Sequence, residues 1–181
     1  MPGITHRSTT KPLIKTRFLS HGTLEVDNLQ ASRRFYEEVL GLEVVQQALI
    51  ALVIRLGSNH VYACVESSPD RPPMSLLHHN GLDVASKEEV DEAHRQVLEV
   101  RKEYGILDVT EPVEQHGTYS FYLQDLDRNW WEICYLPEGG YSFRFEDDRV
   151  DLTGRTDLSR AEVIKIAQRP LEIIVDTPAD A

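Results

Sequence analysis

The segments His21-Gly22-Thr23-Leu24-Glu25-Val26 and His79-Asn80-Gly81-Leu82-Asp83-Val84 share one frame: histidine, two residues, leucine, an acid, valine. Read as strands, each copy puts the histidine, the second residue after it and the acid on one face, with leucine and valine on the other. A third group with ligand chemistry, Glu132, stands in Trp130-Trp131-Glu132-Ile133-Cys134-Tyr135, a strand-like run late in the second copy. Two imidazoles and one carboxylate make a facial triad suited to non-haem iron, with positions left open for substrate and dioxygen. Taken singly, each residue is better explained as a hydrogen-bonded strand histidine or a solvated edge glutamate. The matching places of His21 and His79 in a repeat are what favour a shared ion.

Periodicity predicts the elements that position these groups. A strand over 17–26 leads through a cap at Asp27 or Asn28 into a helix with Ala31, Phe35, Tyr36, Val39 and Leu40 on one stripe, stopped at Gly41. Strands follow at 42–47, 49–56 and 60–66, with Gly57-Ser58-Asn59 as the clearest turn. In the last of these Val61, Ala63 and Val65 are expected toward the core, with His60, Tyr62, Cys64 and Glu66 on the polar face. Ser67 to Met74 carries three prolines and closes the first half. In the second half, Ser86 and Glu89 form a capping box for a helix running to about Tyr104, with Val90, Ala93, Val97 and Leu98 as its stripe. Strands at 107–113, 118–124 and 129–135 complete it, with a turn at Asp125 to Arg128.

The whole therefore reads as α+β: paired βαβββ modules, 17–66 and 75–136, whose curved mixed sheet surrounds a metal cleft. An arm, 1–16, precedes them. An extension, 137–181, follows, with a short helix from Ser159 to Gln168 and a packed apolar segment bearing Leu171, Ile173 and Val175.

Composition sets the outer limits. With 181 residues and 41% hydrophobic content the chain can bury one core shared by two halves. A net charge of −11 speaks against nucleic acid as a partner. No run reaches the length of a membrane span, and the N-terminus lacks the apolar core of a signal peptide. Cys64 and Cys134 lie inside strand-like runs, as in reduced cytosolic proteins, so a cytoplasmic protein is expected. The apolar tail makes a homodimer or higher homo-oligomer the expected assembly.

The repeated halves, the helix from Phe35-Tyr36 to Leu40-Gly41 and the strand bearing Glu132 resemble the vicinal oxygen chelate superfamily over residues 17–136. That resemblance implies two modules enclosing a metal held by the first strand of each and the last strand of the second, the positions of His21, His79 and Glu132. Glyoxalase-type lyases of this frame add a carboxylate where Tyr62 stands here, although Glu66 lies further along the strand. Type I extradiol dioxygenases are a closer likeness: Ser120-Phe121-Tyr122 puts a tyrosine ten residues before Glu132, and His78-His79 before Leu82-Asp83-Val84 resembles their second ligand strand. The likeness implies Tyr122 bonding a substrate oxygen, His60 beside the oxygen site and His116 as a looser substrate-side match. Tyr62, Ser120, Trp130 and Cys134 are expected to line the substrate.

The activity so implied is Fe(II)-dependent cleavage of a small aromatic diol with O2, in which the ion lowers the diol pKa, Tyr122 stabilises the anion and His60 moves a proton. The chain departs from the familiar enzymes in having one pair of modules and Arg128 in a turn where glycine is common. Two other classes stay open. Mn(II) or another divalent ion would support an isomerase, epimerase or lyase, and a metal-free cleft would suit a ligand-sequestering protein of the bleomycin-resistance type.

Overall fold

In the computed structural model, which describes residues 13, 14, 16, 18–57, 59–115, 117–136, 141 and 151–167, the duplicated segment opens two units of like topology. The first runs β1 (His21–Val26), α1 (Leu29–Glu38), β2 (Glu43–Ala48), β3 (Ala51–Arg55) and β4 (Val61–Glu66). The second runs β5 (Asn80–Val84), α2 (Lys87–Val100), β6 (Asp108–Val109), β7 (Val113–Gln115), β8 (Thr118–Gln124) and β9 (Trp130–Tyr135). A third helix, α3 (Arg160–Ala167), falls where a short helix is expected. Leu171, Ile173 and Val175 lie outside the described residues.

Each unit forms an open mixed sheet, ordered β1-β4-β3-β2 in the first and β5-β9-β8-β6 in the second, with β7 also on β8. The α+β class and the paired modules are as expected. β1 runs parallel to β4 and β5 to β9, while the other pairs are antiparallel. The expected strand at 107–113 divides into β6 and β7. Pro112 stands in the gap, where its missing N–H interrupts the ladder to β8.

The helices begin at side-chain caps. Asn28 Oδ1 accepts from Ala31 N at 2.9 Å at the start of α1. Gly41, just past its end, takes φ of +67°, a left-handed conformation open to glycine at little cost. At α2, Ser86 Oγ accepts from Glu89 N at 3.2 Å and the Glu89 carboxylate accepts from Ala85 N at 2.9 Å. This is a capping box whose return bond falls one residue early. Two stripe residues were misjudged from periodicity: Ala31 and Leu98 are exposed, and Leu29 and Ser32 are buried on α1 instead.

One continuous core serves both units. Leu24, Leu52, Ile54 and Cys64 of the first sheet and Phe35 and Tyr36 of α1 join Phe121, Leu123, Trp131 and Ile133 of the second sheet and Val90 of α2. Tyr36 meets Trp131 edge-on across the halves, with ring centroids 5.8 Å apart. Both helix-covered faces thus turn toward a shared interior, and strand alternation leaves the opposite face of each sheet turned outward.

The expected facing of β4 is reversed. Its parallel register sets Tyr62 beside Gly22 and Cys64 beside Leu24, so tyrosine and cysteine take the core side. Val61, Ala63 and Val65 share the outward face with His21, Thr23 and Glu25. Gly22 admits the tyrosine: a Cβ there would stand 2.5 Å from the Tyr62 ring.

A polar clasp ties the units at the turn between β8 and β9. Asp127 accepts from Asp27 N at 2.7 Å and from Ser32 Oγ at 2.6 Å. Arg128, at φ of +71°, donates to Asp27, and Arg71 pairs with Asp27 and donates to Asp127 O. Asn129 Nδ2 donates to Glu25 O at 3.0 Å.

Candidate functional site

The outward face of the second sheet gathers most of the residues singled out for chemistry. In β8 and β9, Tyr122 pairs with Glu132 and Ser120 with Cys134, which puts all four on that face. Glu132 and Ser120 are buried, Tyr122 is half-buried, and Trp130 lies on the same face of β9 by alternation. Gly81 of β5 lies opposite Glu132 and leaves the carboxylate room, since a Cβ at Gly81 would stand 3.9 Å from Glu132 Oε2.

His79 enters this face from the end of a 3₁₀ turn, Leu76–His78, that Ser75 caps through Leu77 N. The carbonyl of Leu76 accepts both from His79 N, at 3.2 Å, and from His79 Nδ1, at 2.7 Å. That second bond fixes the tautomer with hydrogen on Nδ1 and the lone pair on Nε2. Nε2 stands 3.4 Å from Glu132 Oε2. Meanwhile Glu132 Oε1 accepts from Ser120 Oγ at 2.7 Å and from Tyr122 Oη at 3.1 Å, and Tyr122 Oη itself accepts from Gln115 Nε2 at 2.7 Å. The His79 and Tyr122 rings meet edge-on at 4.9 Å.

The electrostatics follow from this packing. With hydrogen on Nδ1, a neutral His79 presents its lone pair to a carboxylate oxygen, and two acceptors at 3.4 Å call for a cation between them, either a proton or a metal ion. The donor set suits a first-row divalent metal, and hydroxyl groups orient the carboxylate as outer partners do at such sites. Burial, and then the charge of Glu132, raise the Tyr122 pKa far above the tyrosine range, so its hydroxyl keeps its proton. Burial, followed by the charge of Glu132, pushes Cys134 up to about 12, so in the absence of a bound cation its thiol keeps its proton at neutral pH.

Other expected residues stand elsewhere. His21 is exposed at the head of β1 with Ser20 Oγ on its Nδ1 at 2.8 Å, on the outward face of the other sheet. Among the described residues no three of His, Cys, Asp and Glu come together as a metal site, and His21 does not join His79 and Glu132 there. Tyr62 does not line the Glu132 face, because its register with Gly22 turns it to the core side. His60 sits beside it, ring centroids 5.2 Å apart, with Nδ1 at 3.2 Å from Leu19 O. His116 lies outside the described residues. The Leu76 carbonyl and Gln115 were missed from sequence; Ser75, a capping residue ahead of the histidine pair, was the one available signal for the turn.

The sequence model of the Glyoxalase/Bleomycin resistance protein/Dioxygenase superfamily matches residues 18–133, and the chain belongs to that superfamily. Solved structures with a similar fold include a possible glyoxalase from Bacillus cereus, at 24% identity and TM-score 0.52, covering 65% of this chain and 98% of that one. Another is the fosfomycin resistance protein FosX of Listeria monocytogenes, complexed with Mn(II) and sulfate, at 19% identity and TM-score 0.55, covering 72% and 98%. Lactoylglutathione lyase from Agrobacterium tumefaciens matches at 20% identity and TM-score 0.50, covering 67% and 96%. No curated protein matches the sequence. Among the described residues no helix is long and apolar enough to cross a membrane.

Proposed function

We propose that the chain is a divalent-metal enzyme acting on a small molecule through two neighbouring oxygens, its ion held by His79 and Glu132 of one copy and His21 of a second. The carrying observation is the pair itself: Nε2 and Oε2 face each other at 3.4 Å while Nδ1 and Oε1 are engaged by the protein. His21 supports the second copy because it stands on the outward face of the other sheet, with the shared core between. That face also exposes Val45, at 64%, and leaves Val53, Val61, Ala63 and Val65 mostly half-covered. An apolar face of this kind marks an interaction surface, and a twofold homodimer would form two equal sites from it.

Ring cleavage of a catechol-like diol with O2 on Fe(II) is the finer proposal, and Tyr122 supports it. Its protonated hydroxyl lies beside both ligands, where it can turn from Glu132 Oε1 to donate to a bound anion. A non-oxidative isomerase, epimerase or lyase on Mn(II) or a similar ion is the second, favoured by His60, which stands away from the Glu132 face and is not placed to move a proton there. Anaerobic loading with Fe(II) or Mn(II), metal counted per chain, then oxygen uptake against a panel of catechols, tests both. Diol-dependent uptake carries the dioxygenase; firm metal without uptake turns the case to the second class. A protein that retains no metal overturns both in favour of sequestration.

A further inference from the structure

We infer that the chain carries a second small-molecule site, between its two halves on the far side of β5 from the His79–Glu132 pair, which takes a single-ring aromatic carboxylate. A cavity of about 190 Å³ lies there, partly open to solvent. Ile54 and Leu56 wall it from the first half and Leu82 and Trp131 from the second, while Tyr62 and Asn80 bring polar atoms. Asn80 Nδ2 is buried and has no hydrogen-bond partner. A buried amide N–H without an acceptor is unfavourable, so the position calls for an acceptor.

Strand alternation separates this cavity from the site on Glu132. Asn80 and Leu82 lie on one face of β5, beside Trp131 and Ile133, whereas Gly81 between them faces Glu132. The size selects the ligand: a dry apolar cavity of about 150 Å³ accepts benzene. The larger volume here accommodates a ring carrying one small polar group. Trp131 and Tyr62 favour an aromatic body, the Asn80 amide favours an oxygen acceptor, and Arg55 at the lining, whose Nε pairs with Glu43, favours a negative one through its remaining N–H groups.

Benzoate titrated into the full-length, isotope-labelled chain in the presence of a chelator tests this independently of any metal. The amides of Asn80, Leu82 and Leu56 and the Trp131 indole N–H should shift together and saturate. Asn80→Asp, which replaces the donor by an acceptor, should weaken binding by at least about tenfold. Leu82→Phe, which fills the space without touching Asn80, should abolish it. Shifts confined to the Glu132 face, no saturable shift, or an affinity unchanged in both variants would overturn the proposal, as would a water at Asn80 that benzoate leaves in place.

Discussion

The two oxygens of Glu132 have different partners, and that asymmetry makes the proposed centre testable one side chain at a time. Oε1 is held by Ser120 and Tyr122, so Oε2 alone is left toward His79. Ser120→Ala removes the shorter of the two restraints, and divalent-metal affinity measured by chelator competition should fall by about 10- to 100-fold. Tyr122→Phe leaves Ser120 in place, so affinity should stay within about tenfold of the parent while turnover falls by roughly 10² to 10³. Equal affinities for the parent and Ser120→Ala would mean that the Oε1 contacts do not orient a ligand. His79 and Glu132 were legible in the sequence because each occupies a fixed place in a repeated frame. The Leu76 carbonyl was not, since a backbone acceptor carries no residue signature.

The turn from β8 to β9 binds the halves together, and its chemistry should appear as a pH dependence of stability. Asp125 is fully buried and accepts from Asp127 N, Asn129 N and Trp131 Nε1, each at 2.9 Å. Burial, followed by the charge of Asp127, pushes its pKa up to about 7. The folded chain therefore keeps a proton that the unfolded chain has already released. The stabilisation is complete below the ordinary aspartate range and is lost as pH rises through about 7. Urea midpoints should reveal a slope of up to about 1.4 kcal/mol per pH unit from this group, absent in Asp125→Asn. A slope that survives the substitution would place the titration elsewhere. At α2, Ser86→Ala should cost about 1 kcal/mol in the same assay, the usual worth of an N-cap. Periodicity located α1, α2, α3 and most strands among the described residues, yet it did not find the 3₁₀ turn at Leu76–His78 and misjudged which way β4 faces. Val61, Ala63 and Val65 are as apolar as Tyr62 and Cys64, so the pattern had no contrast to read; a distant partner, Gly22 on β1, decided it.

Assembly is the property on which the proposed centre depends, because the outward faces that carry His21 and Glu132 belong to different sheets with the core between them. A site shared between copies makes a prediction that a site within one chain cannot. His21→Ala and Glu132→Gln should each bind the ion poorly when purified alone, since every site in either homodimer lacks one ligand. Mixed, unfolded and refolded together in equal amounts, they should form heterodimers in which the Glu132→Gln chain lends its intact His21 to the His79–Glu132 pair of the other. One of the two sites is then complete and the other lacks two ligands. With random pairing, about a quarter of the parent's metal-binding capacity should return. Capacity is read by chelator-competition titration, and dimer composition by native mass spectrometry. If each ion were held within a single chain, no mixture could repair either variant, and capacity would stay at the level of the separate preparations even where heterodimers are abundant.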